Sequence, residues 1–238
     1  MSFDPYEFDR GYASSQGDTL GQYTAKTFLW MVLGLLVTFG VAVGCWVTNA
    51  TVYSLVYIPA VHIIALIAPI VLSVVFVRRI EKMSVGAAIG VFVAYAAILG
   101  FTMSIYLLVY DLTALVFCFL LTAVYFGALA AYGFLTKRDL SGLRPILISG
   151  AVFLLIFWLL SMFIPGVMMF ERVICMIGIA VFLGFTAYDT QKIRAYYGYY
   201  SASPDMLAKA SIFSALNLYL DFINLFLYLL RFLGNKRR

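Results

Sequence analysis

Two aspartates stand where carboxylates are costly. Asp221 lies inside SIFSALNLYLDFINLFLYLLRFLG, and Asp189 lies near the end of another apolar run, in GFTAYDTQKI. An ionised side chain at mid-bilayer costs about 2.5–3.5 kcal/mol on insertion scales, so such residues line cavities, pair with each other or carry an ion. Around the second aspartate, Ser214, Asn217, Asp221, Asn224, Tyr228 and Arg231 step by three, four, three, four and three. On a helix of about 3.6 residues per turn these fall on one stripe. The other faces carry Leu, Phe, Ile, Ala and Tyr. The stripe is therefore expected to face inward, with this last helix central in a bundle. A polar stripe can also serve only to hold helices together, through hydrogen bonds of about 0.6–2 kcal/mol. Aspartate is a poor choice for that task where Asn or Ser would do.

Asp189 taken alone reads as a solvated carboxylate at a helix end, beside Lys192 and Arg194. Placed near Asp221, it acquires chemistry. Two close carboxylates repel, share a proton and titrate as a pair. With both ionised they offer hard oxygens to Ca²⁺, which takes about six to eight oxygen ligands. Asn217, Asn224, backbone carbonyls and water would have to complete such a site. Arg79 and Arg231 are candidate counter-charges that could latch a carboxylate. With helix seven starting near Ser211, Asp221 lies about 15 Å along it at 1.5 Å per residue. Contact with Asp189 then requires part of 196–212 to be helical and inside, or Asp189 to lie deeper.

The elements that must position these groups follow from composition. Of 238 residues, 64% are hydrophobic and 11% charged, and the mean hydropathy is +1.01. Soluble domains carry about 25% charged residues, so a soluble globule, a secreted disulfide scaffold and a disordered chain are excluded. No Asp, Glu, Lys or Arg occurs between Lys26 and Arg78. A bilayer core of about 30 Å needs about 20 apolar residues per helix. Seven runs qualify, at approximately 28–48, 58–77, 85–108, 112–135, 145–165, 171–190 and 211–233. Their length and the absence of ten-residue alternation select helices over barrel strands. The fold expected is all-α, a polytopic seven-helix bundle over 28–234, with a polar tail at 1–27 and a basic tail at 235–238.

Charged turns set the expected orientation. Arg78, Arg79 and Lys82 lie between helices two and three. Lys137, Arg138 and Arg144 lie between four and five, and Lys192, Arg194 and Lys209 between six and seven. The alternate turns carry no basic residue except Arg172. By the positive-inside rule the basic turns and the N-terminus are cytoplasmic. Seven crossings then place Lys236, Arg237 and Arg238 outside, against that rule, unless the last segment re-enters. The net charge of +5 reports topology ahead of nucleic acid, and no nucleic-acid partner is expected. The first 27 residues lack the basic region and cleavage site of a signal peptide. Cys45, Cys118 and Cys175 sit in apolar segments without metal-ligand spacing and read as packing residues. One histidine, His62, excludes a multi-histidine metal centre. Gly40/Gly44 and Gly86/Gly90/Ala94 are patterns suited to close helix packing within the chain.

RRIEKMS at 78–84, AYDTQKI at 187–193 and ALNLYLDFINLFLYLLRFLG at 215–234 resemble the Bax inhibitor family of transmembrane proteins. The last piece is long and specific, and the seven-helix layout extends the resemblance past the first 25 or so residues. The resemblance implies a small cell-death-suppressor membrane protein, whose bacterial relatives look like pH-sensitive calcium leak channels gated by paired aspartates. It implies Asp189 and Asp221 as sensor, ion pathway and transient Ca²⁺ site, Arg79 as a latch partner on the second helix and Arg231 as the arginine of the last-helix motif. The chain departs from members with an acidic residue in the second helix, since 58–77 offers only His62 and Ser73.

The leading expectation is a pH-regulated Ca²⁺ leak in a bacterial cell membrane, with no cofactor beyond the permeant ion and with the bilayer, Ca²⁺ and protons as partners. An intramembrane aspartyl protease would use one carboxyl to activate water and the other to protonate. The sequence LYLD lacks the Gly-x-Gly-Asp turn of such enzymes, and a Pro-Ala-Leu motif is missing, so no enzyme is expected. The third reading is a modulator of a membrane-bound protease or cell-death regulator, with FDPYEFDRGY as its handle. A polar disordered tail is the commoner explanation of such a segment.

Overall fold

The computed structural model describes residues 18–161, 163–164 and 167–237. The FDPYEFDRGY segment and Arg238 lie outside the described residues. Helix α1 spans Leu20–Val47. It starts well before the expected residue 28, because Thr19 and Gln22 form a capping box. The Thr19 hydroxyl accepts from the Gln22 amide at 3.3 Å, and the Gln22 side-chain oxygen accepts from the Thr19 amide at 2.9 Å. Such reciprocal bonds satisfy amides that a helix start leaves unpaired. Asn49, at φ 55°, turns the chain into a short helix the sequence reading did not anticipate, α2 (Ala50–Tyr57). There follow α3 (Ala60–Arg79), α4 (Val85–Val109), α5 (Leu112–Leu135), α6 (Arg144–Ser161), α7 (Glu171–Tyr200) and α8 (Pro204–Leu233). Short 3-10 turns at Ser141–Leu143 and Val167–Phe170 lead into α6 and α7.

Seven of these helices are long and apolar enough to cross a membrane. The chain is an all-α polytopic membrane bundle. The largest correction lies in the last two spans. They end at Tyr200 and begin at Pro204, so only Ser201–Ser203 separates them. Lys192, Arg194 and Lys209 are helical residues and not loop residues. Each helix is about 45 Å long at 1.5 Å per residue, longer than a bilayer core of about 30 Å. The extra turns are polar and aromatic, yet they bury Ile193, Leu207 and Ala210. Hydropathy alone therefore ends α7 too early and starts α8 too late.

Helix α8 is the most thoroughly buried of the seven spans and packs on α1, α4, α5 and α7. Tyr219 occupies the middle of its packing surface, edge-on to Phe92 and Tyr95 at ring separations of 5.8 and 6.3 Å. Its hydroxyl pairs with that of Thr38 at 2.6 Å, and Thr38 donates to the Ala96 carbonyl at 3.0 Å. These bonds join α1, α4 and α8 in one buried polar knot. Closer to the start of α1, the Thr27 and Ser211 hydroxyls meet at 3.0 Å. In membranes such cross-helix bonds supply part of the adhesion that hydrophobicity supplies in water.

The small residues at close crossings are other than those expected. Gly40, Gly44, Gly86 and Gly90 face open space, whereas Gly34, Gly100, Gly133 and Gly178 lie hard against neighbouring helices. Packing in the chain thus rests on single glycines opposite large rings or carbonyls.

Seven crossings place the start of α1 and the end of α8 at opposite ends of the bundle. The C-terminal segment is fastened there. Tyr110 and Lys236 form an antiparallel bridge, the Asp111 amide donates to Asn235 at 3.2 Å, and the Arg237 amide donates to Val109 at 2.9 Å. Arg237 also lies 3.9 Å from Asp111 and over the Trp46 ring. The last helix runs unbroken from Pro204 to Leu233 and does not turn back.

Candidate functional site

The α7–α8 hairpin determines where the two aspartates stand. Phe182 stacks on Tyr228 at 5.8 Å, and Tyr196 meets Phe213 edge-on at 6.2 Å. Asp189 is seven residues from both Phe182 and Tyr196, while Asp221 is seven from Tyr228 and eight from Phe213. Seven residues are nearly two helical turns. Asp189 and Asp221 therefore lie level with each other, on the faces that the two helices turn to each other. Continuous helix through 196–212, one of the two conditions for their approach, is present in all but Ser201–Ser203.

Their surroundings differ. Asp221 is 4% exposed, and its Oδ2 has no hydrogen-bond partner among the described residues. Its electrostatic neighbours are Asp189 and Lys192. The Asp189 side chain is 13% exposed, and its Oδ1 lies 3.8 Å from Lys192 Nζ. That ammonium also sits over the rings of Tyr188 and Tyr196, at 5.1 and 5.5 Å from their centroids. A buried carboxylate without partners is unfavourable, so the pair forms a polar core held in place by the packing around it.

The remaining stripe is graded along α8. Ser214 is buried with an unpartnered hydroxyl. Asn217, Asn224 and Tyr228 are half-buried, and Asn224 donates to the Leu220 carbonyl at 2.8 Å. Arg231 is exposed, ten residues beyond Asp221. Arg79 is exposed at the opposite end of the bundle, at the close of α3. Neither arginine forms an ion pair with a carboxylate among the described residues. The cation beside the aspartates is Lys192, which the sequence reading assigned to a loop. Its spacing of three from Asp189 is the signal that could have identified it.

Helix α7 is fixed against α5 and the loop that follows. A Cβ at Gly133 would collide with the Ala187 carbonyl, two residues before Asp189. Gln191 brackets that loop: its Oε1 accepts from the Leu140 amide at 2.9 Å, and its Nε2 donates to the Arg138 carbonyl at 2.8 Å. Arg194 donates to the Phe134 carbonyl at 3.0 Å. The motif AYDTQKIR thus carries a packing residue, a carboxylate, its cation and two loop clamps. In the loop itself, the Ser141 amide and hydroxyl donate to Asp139 and hold its carboxyl below the usual carboxylate range.

Away from this hairpin, His62 stacks on Phe101 at 5.0 Å, and its Nε2 lies 3.0 Å from the Ser54 hydroxyl. It ties α3 to α2 and α4. Cys118 and Cys175 are buried and Cys45 partly so, all as free thiols. Among the described residues no group of three His, Cys, Asp or Glu could hold a metal ion.

Comparison with known proteins agrees with this architecture. The family described as Inhibitor of apoptosis-promoting Bax1 matches residues 20–238. Inner membrane protein YbhL of Escherichia coli (strain K12) is 40% identical over 223 residues, covering 92% of this chain and 93% of its own. A protein of Rickettsia prowazekii (strain Madrid E) is 36% identical over 218 residues, with 92% and 91% covered. One of Deinococcus radiodurans is 35% identical over 228 residues, with 94% and 96% covered. A match across all seven spans, with relatives of equal length, establishes that this chain belongs to the Bax inhibitor family of membrane proteins.

Proposed function

We propose that this protein is a pH-regulated Ca²⁺ leak pathway whose sensor and ion-contacting groups are Asp189 and Asp221. The observation that carries the reading is their level placement on facing surfaces of α7 and α8, with one Asp221 oxygen unpartnered. Two carboxyls in a low-dielectric bundle exchange protons as a unit, so pH alters the charge presented to an ion. Two carboxylates fall well short of the oxygens that tight Ca²⁺ binding needs, which suits passage over storage. Lys192 competes for Asp189 and would have to release it for an ion to be held.

The basic residues of the 78–82 and 137–144 turns lie at the same end as the start of α1, and the positive-inside rule makes that end cytoplasmic. The name of the relative YbhL supports a bacterial inner membrane. The test is Ca²⁺ flux through purified protein in liposomes across a pH series. Wild type is expected to show pH-dependent flux, and Asp189→Asn and Asp221→Asn to lose that dependence. An unchanged pH profile in both variants would overturn the proposal. Cleavage of a helical reporter substrate, lost in Asp221→Asn, would instead favour a protease.

A further inference from the structure

A second feature lies at the end of the bundle where α1 begins, away from the aspartate pair. A cavity of about 190 Å³ opens between the end of α3, the last turns of α7 and the first turns of α8. Its walls include Val77, Ile80 and Phe213, the tyrosines Tyr196 and Tyr200, and Lys209. Lys209 is 4% exposed. Buried lysines are rare unless paired, and this one has a partner of limited hold. Its Nζ lies 2.6 Å from Asp205 Oδ2, but the Asp205 side chain is 64% exposed. Among the described residues, the one further polar contact of the ammonium is the Glu81 carbonyl at 3.4 Å. One turn away, Arg78, Arg79 and Lys82 are exposed on the segment that supplies Val77 and Ile80 to the cavity wall.

We infer that this cavity binds the phosphodiester headgroup of an anionic phospholipid, with Lys209 as its buried anchor. Three observations support that occupant over others. The ammonium and two phenols lie among apolar side chains, the mixture met where a lipid headgroup joins its acyl chains. The segment that supplies one wall carries three further exposed cations, Arg78, Arg79 and Lys82, against one acid, Glu81, and basic pockets between helices attract anionic headgroups. The face of α3 leading away from the cavity is apolar and exposed, at Ile70, Val74 and Val77, and offers a track for an acyl chain. On binding, Asp205 swings into solvent and the phosphate takes its place on Lys209. The inference does not rest on the Ca²⁺ reading: neither aspartate of the pair lines the cavity, and the link between the two sites is Tyr196, whose ring lies under Lys192.

The full chain, purified in a neutral detergent, is titrated with phosphatidylglycerol and separately with phosphatidylcholine, and retained lipid is counted by native mass spectrometry. Wild type is expected to prefer the anionic lipid by at least fivefold. Lys209→Gln should lose that preference. Asp205→Asn, which frees the ammonium, should strengthen it about threefold. Glycerol phosphate, a soluble phosphomonoester, serves as the competitor that tests for a free phosphate and should displace phosphatidylglycerol only at far higher concentration. Equal retention of the two lipids by wild type would overturn the inference, as would weaker binding by Asp205→Asn or full displacement by glycerol phosphate at equal concentration. Because the aspartate variant alters an exposed side chain, it decides the matter even if Lys209→Gln does not fold.

Discussion

At the scale of single residues, the central feature is an unpartnered oxygen. Asp221 is nearly sealed from solvent, yet its Oδ2 accepts no hydrogen bond among the described residues, and a second carboxyl lies level with it. Replacing one acid by an amide of the same shape keeps the pair at most singly charged at every pH and provides a permanent donor toward Asp189. Asp221→Asn is therefore expected to raise stability by about 1 kcal/mol at alkaline pH, where both acids of the wild type ionise, seen as a higher melting temperature in detergent. A lower melting temperature would mean that the carboxylate contributes contacts beyond those described. The same substitution is expected to abolish the pH response of flux, so stability and function should move in opposite directions. The residue types at this site were legible in the sequence: acids within apolar runs, and a polar stripe at helical spacing. Which cation faces them was not legible. Arg79 and Arg231 are conspicuous in sequence but sit at opposite ends of the bundle, while Lys192 lies within 3.8 Å of Asp189.

At the scale of elements, the α7–α8 hairpin brings the site together and α5 holds it there. The contact between Gly133 and the Ala187 carbonyl leaves no room for a methyl group. Gly133→Ala is expected to destabilise the protein by about 1–3 kcal/mol, the usual range for overpacking. Displacement of α7 should also alter the pH dependence of flux, although the variant changes no titratable group. Wild-type stability and an unaltered pH profile would show that the helices part without cost. The extent of both helices was hidden from hydropathy, because residues 191–200 and 204–210 are mixed in polarity, and the few that tertiary contacts bury are Ile193, Leu207, Lys209 and Ala210. The capping box at Thr19 and Gln22 was present in the sequence, but it lies ahead of the apolar run used to draw the first span. Gly133 and Ala187, close in space, are far apart in the chain, and neither neighbourhood announces the other.

At the scale of the whole molecule, seven spans place the start of α1 and the end of α8 at opposite ends of the bundle. The C-terminal segment is tied to the α4–α5 turn by the Tyr110–Lys236 bridge and the Arg237–Asp111 pair. A reporter fused after Arg238 is expected to read as non-cytoplasmic, and one fused after Lys137 as cytoplasmic. The reverse pair of readings would invert the orientation, and a cytoplasmic reading from both would contradict the seventh crossing. By itself the sequence determined the solvent, the number of spans and the fold class, because bilayer thickness imposes a length and hydropathy threshold that each segment meets alone. It also determined which side chains were out of place in that solvent. Tertiary structure alone decided that Asp189 and Asp221 share one level, that Lys192 is their cation and that Lys209 is buried. These depend on the register of one helix against another, set by ring contacts such as Phe182 on Tyr228 and by single glycines, and no periodicity within one segment encodes its alignment with the next.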